Sequence, residues 1–159
     1  MDDFTFETAT PDVIQQLWHD FTSLPIVTAL RTYSHPAEVE ALVYRDEEGR
    51  VGGHVSFALE RDVGEIVTLE ALIPGQHTGG RLIDAAERVL YERGVKRIVV
   101  TTTNDNLRAQ AFYQRRGYRL IRIEIGGMDR VRALKPDVPH VGHEGLPLLD
   151  MWEFEKVIE

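Results

Sequence analysis

The 159-residue chain contains no cysteine, which excludes disulfides, thiolate metal sites and any cysteine-bound acyl intermediate. It has no apolar run near the ~20 residues that cross a bilayer. Its first residues, Met1-Asp2-Asp3-Phe4-Thr5, lack the apolar stretch of a secretory leader. A cytoplasmic protein with no membrane partner is therefore expected. Positive charge is scarce: 18 Lys and Arg stand against 26 Asp and Glu, a formal charge of −8. Nucleic acid wants a basic face, so it is not an expected partner. A cationic substrate such as an amine is compatible with this balance. The 43% apolar and 28% charged residues are the mix of an ordinary globular chain. The length suits one domain over residues 1–159.

Apolar periodicity lays out the elements. Residues 4–8 alternate as a first strand. Thr10-Pro11-Asp12 is a helix start, with Thr10 as N-cap and Val13, Ile14, Leu17, Trp18 and Phe21 following at helical spacing. Residues 26–33 are expected to form a second short helix, ended by His35-Pro36. Three strands then meander: 41–45, 50–60 and 65–73. The first turn carries Gly49 at a φ > 0 position. A helix over 79–93, ended by Gly94, leads to a Val- and Ile-rich strand at 96–102. Another helix (106–116), a strand (118–125), a short helix (129–135), a Pro/Gly-rich loop and a last strand (150–157) complete the chain. This order predicts a mixed α/β sheet, with the strands at 65–73 and 96–102 parallel through a right-handed crossover. The long loop before the last strand is a functional candidate by its length.

Two features point to chemistry. The strand at 65–73 breaks into Pro74-Gly75-Gln76-His77-Thr78-Gly79-Gly80, which opens straight into a helix. Helix N-termini present unpaired N–H groups and a positive dipole end, so the backbone from Gly75 to Arg81 could cradle a phosphate; a plain strand-to-helix turn would look the same. The second feature is Asn106-x-x-Ala109-x-x-Phe112-Tyr113-x-x-x-Gly117-Tyr118. Ala109, Phe112 and Tyr113 also fall at core-face spacing, so aromatic packing would explain them equally.

Taken together, residues 64–120 resemble the GNAT superfamily of acyl-CoA-dependent N-acetyltransferases. The helix motif matches well. The loop departs from the family pattern, with His77 in a glycine position and Pro74 where Arg or Gln is usual. The resemblance implies a GNAT fold: a mixed, mostly antiparallel sheet flanked by helices, with two parallel strands splayed apart. It implies acetyl-CoA as cosubstrate and no metal. The pyrophosphate would rest on Gly75, Gln76, His77, Thr78, Gly79, Gly80 and Arg81. Leu69 and Ala71 on the strand, and Asn106, Ala109, Phe112 and Tyr113 on the helix, would make further cofactor contacts. A free N–H near Leu69 would polarise the thioester carbonyl, and Tyr113 would return a proton to the leaving thiolate. The acetyl group would pass directly to a small-molecule or peptide amine, with a non-catalytic acyl-CoA sensor as the alternative. The chain would be a monomer or a homodimer.

The base is open between two carboxylates. Glu65 begins the strand in a pattern some family members use, and Glu70 lies beside the expected acetyl position. Their odd separation puts them on opposite faces unless a bulge intervenes. Lys135, His140, His143 and Glu144 are expected to rim the acceptor pocket. Arg108, Arg115 and Arg116 are expected on the exposed side of their helix.

Overall fold

The structure is a computed structural model and describes residues 5–73 and 77–158. Its main sheet has seven strands in the order β1-β4-β5-β6-β7-β9-β8. These are β1 (Phe6–Thr8), β4 (Glu40–Arg45), β5 (Val51–Glu60), β6 (Val63–Ala71), β7 (Arg97–Thr103), β8 (Arg119–Glu124) and β9 (Met151–Val157). Every pairing is antiparallel except that of β6 with β7. The expected meander, crossover and mixed sheet are all present. The parallel pair is joined by helix α2 (Thr78–Glu92).

Local chemistry starts and stops the helices where the sequence says. Thr10 caps α1 (Pro11–Phe21) by accepting the Val13 N–H at 3.3 Å. Asn106 caps α3 (Leu107–Arg115) by accepting the Ala109 N–H at 3.1 Å. Gly94 (φ +84°) closes α2, and Gly49 (φ +82°) turns the β4–β5 hairpin, backbone angles that side chains rarely adopt. Helix α4 (Gly127–Leu134) follows β8.

One stretch differs from expectation. Residues 26–33 are not a helix but a small hairpin, β2 (Ile26–Val27) paired with β3 (Thr32–Tyr33). The Thr28 hydroxyl accepts the N–H groups of Leu30 and Arg31 at 3.1 Å, a side-chain turn that competes with helix. The Ala29 N–H is tied to the Thr101 hydroxyl on β7 at 2.9 Å. Tertiary contact thus overrides an apolar pattern that fits either structure.

The sheet separates two cores. One face packs Val55, Phe57, Ile66, Ile98 and Phe154 against α2, with Leu82, Ile83 and Leu90 fully buried there. The other is covered by α1 and the β2–β3 hairpin through Ile14, Trp18, Ile26 and Tyr33, and by α4 through Met128 and Val131.

Candidate functional site

The β6–β7 ladder is short. It runs from Val63↔Arg97 to Ile66↔Val100 and stops. Beyond it β6 stays paired with β5 as far as Ala71, and β7 with β9 as far as Thr103. The two strands therefore diverge while each keeps its outer neighbour. A cavity of about 310 Å³ fills the gap. Thr68 and Leu69 line it from β6, and Thr101 and Thr102 from β7. On the helix side it meets Asn106, Ala109 and Tyr113; on the opposite side, Val27, Met128, Val131 and Met151. The cavity is thus lined from both faces of the sheet.

Tyr113 is 6% exposed, and burial alone pushes its phenol well above the ordinary value. It stays protonated across all working pH. Asn106 reaches the same cavity, but its side-chain carbonyl is already engaged by the Ala109 N–H, which leaves its NH₂ as the group to offer. Phe112 does not line the cavity. Its ring lies 3.9 Å from where a Cβ on Gly79 would sit, so it packs α3 against the first turn of α2.

Of the expected phosphate loop, Gly75 and Gln76, with Pro74, lie outside the described residues. His77 holds the left-handed conformation (φ 54°, ψ 29°) at the N-cap of α2 and gives no side-chain cap. The first-turn amides, including those of Thr78, Gly79 and Gly80, thus have no cap from that side chain. The Arg81 N–H donates to the His77 carbonyl at 3.1 Å and closes the first turn. The Thr78 hydroxyl is buried with no hydrogen-bond partner among the described residues. Ala71 ends β6 beside Gly79.

Arg108 and Arg115 are exposed as expected, but Arg116 is not on that face. Its guanidinium turns back over the α2 N-terminus, bonds the Gly80 carbonyl at 3.1 Å and pairs with Asp84. A Cβ on Gly80 would meet it at 2.8 Å, so the glycine makes room for the cation.

The two glutamates share a face. Ser56 pairs with Thr68 but Phe57 pairs with Ile66, so Val67 is an extra, bulged residue. Glu65 lies opposite Ala58 and Glu70 opposite His54, and those partners are four apart on β5. The bulge therefore overrides the odd separation and turns both carboxylates to the α1 side. Glu65 is 4% exposed and sits one residue short of the gap. Burial raises its carboxyl above the usual range, against an opposing hydrogen bond from the Tyr33 hydroxyl. Its second oxygen has no hydrogen-bond partner among the described residues. Burial raises Glu70 as well. Neither carboxylate lines the cavity; Ile66 and Val67, next to Glu65, do.

The expected pocket rim is corrected. None of Lys135, His140, His143 and Glu144 lines the cavity. The Lys135 ammonium donates to the Ser23 carbonyl at 2.7 Å, and the His143 N–H donates to Asp105 at 2.9 Å. The loop instead contributes Leu148, packed behind Met128, Val131 and Met151. It is pinned by the β7–α3 junction: Asn104 donates to the Pro147 carbonyl and accepts from the Leu149 and Asp150 N–H groups. Sequence reading missed Tyr33, Asn104 and Asp105. The Asn104-Asp105-Asn106 run at a strand-to-helix junction was the available signal for two of them.

A sequence model described as the acetyltransferase (GNAT) family matches residues 5–118. The chain is 34% identical over 113 residues to the uncharacterized protein YxbD of Bacillus subtilis (strain 168), covering 71% of each. It is 31% identical over 122 residues to the uncharacterized protein YdhI of the same strain, covering 77% of this chain and 76% of that one. In fold it is similar to an IAA acetyltransferase from Bacillus cereus ATCC 14579, with a TM-score of 0.77 at 17% identity over 98% of this chain and 100% of the other. It is also similar to a GNAT family acetyltransferase from Elizabethkingia anophelis with acetyl-CoA bound, with a TM-score of 0.72 at 16% identity over 99% and 100% of the two chains.

Proposed function

We propose that this chain, which belongs to the GNAT acetyltransferase family, moves an acetyl group directly from acetyl-CoA to an amine nitrogen. The observation that carries this reading is the cavity between β6 and β7, with Tyr113 on one side and a separate apolar wall on the other. A thioester and an amine can meet there from opposite faces of the sheet.

In this reading the first turn of α2 takes the pyrophosphate on its backbone amides, where the dipole favours negative charge. The Asn106 NH₂ and the unpaired inner edges of β6 and β7 hold the amide-bearing arm in the gap. A backbone N–H near Leu69 polarises the thioester carbonyl. The amine nitrogen forms the C–N bond, the C–S bond breaks, and its electron pair leaves on sulfur. Tyr113 hands that thiolate a proton. The transfer is uphill for a phenol raised by burial, unless the thiolate is desolvated in the same cavity; desolvation raises its basicity too. The amine's surplus proton passes through water to Glu65, which lies next to the cavity rather than in its lining and whose raised carboxyl is a better base near neutral pH than an exposed one. No acyl-enzyme is needed, and no cysteine exists to form a thioester.

The test is thiol release from acetyl-CoA against a panel of amines, with the acetylated product identified by mass. Wild type should turn over at least one amine, and Tyr113→Phe and Glu65→Gln should slow it. Tight CoA binding with no turnover of any amine would instead make the chain an acyl-CoA sensor.

A further inference from the structure

The cavity's far wall has a definite chemistry. Val27 comes from β2, Met128 and Val131 from α4, and Met151 from β9. Leu148 backs them in one buried cluster. Among the described residues, no charged side chain lines this wall. The charges around it are held by the protein's own groups. Arg130 binds Glu124 and the Thr28 carbonyl. Arg122 binds Glu153 and the Ala29 carbonyl. Arg132 binds the carbonyls of Pro139 and Leu148. The cavity's volume of about 310 Å³ is at the lower end of small-ligand pockets, and the acetyl end of the donor must share it.

Resting on the acetyl-transfer reading, we infer that the acceptor is a small primary amine on an apolar body, an alkylamine or arylalkylamine with no carboxylate beside the nitrogen. An α-amino acid would bury its carboxylate against methyl and thioether groups with no cation to pair it, which is strongly unfavourable. A polyamine would bury a second ammonium in the same way. A lone apolar amine meets the opposite situation. Its body gains from burial, and desolvation lowers the pKa of its ammonium from about 10.4. The wall thus helps deliver the neutral nucleophile: RNH₂ attacks the acetyl carbon, the C–S bond breaks, and the nitrogen's surplus proton leaves toward Glu65 while the thiolate receives one from Tyr113.

The experiment compares matched pairs that differ by a carboxylate: 2-phenylethylamine with phenylalanine, and 3-methylbutylamine with leucine, alongside spermidine and a peptide with a free N-terminus. kcat/KM for each apolar amine should exceed that of its amino acid by at least about tenfold. Val131→Asp should reduce kcat/KM for 2-phenylethylamine about tenfold or more while the thermal shift given by acetyl-CoA persists, a sign of intact fold. Met128→Ala, a milder change, should move the preference toward bulkier arylalkylamines. Turnover of amino acids, spermidine or the peptide as fast as the matched apolar amines overturns the inference and leaves acetyl transfer standing. An acetyl-CoA thermal shift with no amine turned over overturns both.

Discussion

The Tyr33 hydroxyl donates to the Glu65 carboxylate at 2.5 Å, between side chains 0% and 4% exposed. The bond joins the β2–β3 hairpin to the strand that opens the gap. It opposes the effect of burial on Glu65 by favouring the charged carboxylate. Arg31 lies over the Tyr33 ring at 4.8 Å and acts on Glu65 in the same sense, while Glu153 acts against it. Tyr33→Phe should therefore raise the Glu65 carboxyl further, and the acid limb of the kcat/KM–pH profile should move to higher pH. Glu65→Gln should lower kcat by ~10²-fold and abolish that limb. An acid limb that stays in place in Tyr33→Phe would remove Glu65 from the proton path.

Tyr113→Phe keeps the ring that packs at 5.4 Å against Tyr118 and removes only the hydroxyl. A proton donor used only as the thiolate departs should show in kcat, not in binding. We expect kcat to fall ~10²-fold, with the affinity for acetyl-CoA, read by calorimetry, within about twofold of wild type. Equal losses in both would make Tyr113 a packing residue.

Gly142 sits against the junction that pins the loop. A Cβ there would lie 2.0 Å from Asp105 Oδ2, the oxygen that accepts the His143 N–H. Asp105 is 2% exposed and also accepts the Thr103 hydroxyl, so it has little room to yield. Gly142→Ala should cost about 1–3 kcal/mol in urea melts. Because the loop backs the apolar wall through Leu148, KM for the amine should rise more than KM for acetyl-CoA.

His54 is 1% exposed, with its Nε2 unpartnered among the described residues, and burial lowers its pKa to about 4. The native state resists charging it, while the unfolded chain takes the proton near pH 6.5. Between these values the unfolded state binds more protons, so this contribution to stability is intact above about 6.5 and falls as pH drops toward about 4. Glu65 and Glu70, both raised by burial, act in the opposite direction, because their native states favour the protonated form. Comparison with His54→Leu isolates the histidine. The variant should lose less stability than wild type between pH 7 and pH 5 in thermal melts.

Much of this was legible from local chemistry. Thr10-Pro11 announced its helix through a cap, and Gly49 and Gly94 their turns through positive φ. The turn residues between strands, Gly49 among them, gave the meander, and the Asn106–Tyr118 spacing gave the helix that faces the gap. What stayed hidden depends on partners distant in sequence. Residues 26–33 have apolar positions that suit a helix or a hairpin, and Thr101, far along the chain, decides between them. The bulge at Val67 is set by pairing with β5, and no residue type marks it, yet it decides which way both glutamates face. Tyr33 read only as the end of an expected helix because its partner is 32 positions away. Lys135 read as a pocket-rim residue because Ser23, whose carbonyl it binds, is 112 positions distant.

The divergence of β6 and β7 has a consequence for how substitutions there will read. A ladder missing one strand recognises whatever fills it through main-chain N–H and C=O groups, which every non-proline residue supplies alike. An extended, amide-bearing ligand held in that slot would depend little on which side chains flank it. Exchanges along the slot's inner edges should therefore change packing and stability while leaving cofactor affinity nearly level, provided the bulge at Val67 and the end of pairing at Ile66 are kept. In this part of the protein, sequence divergence is a poor guide to lost binding, and a proline on either inner edge is the substitution to watch.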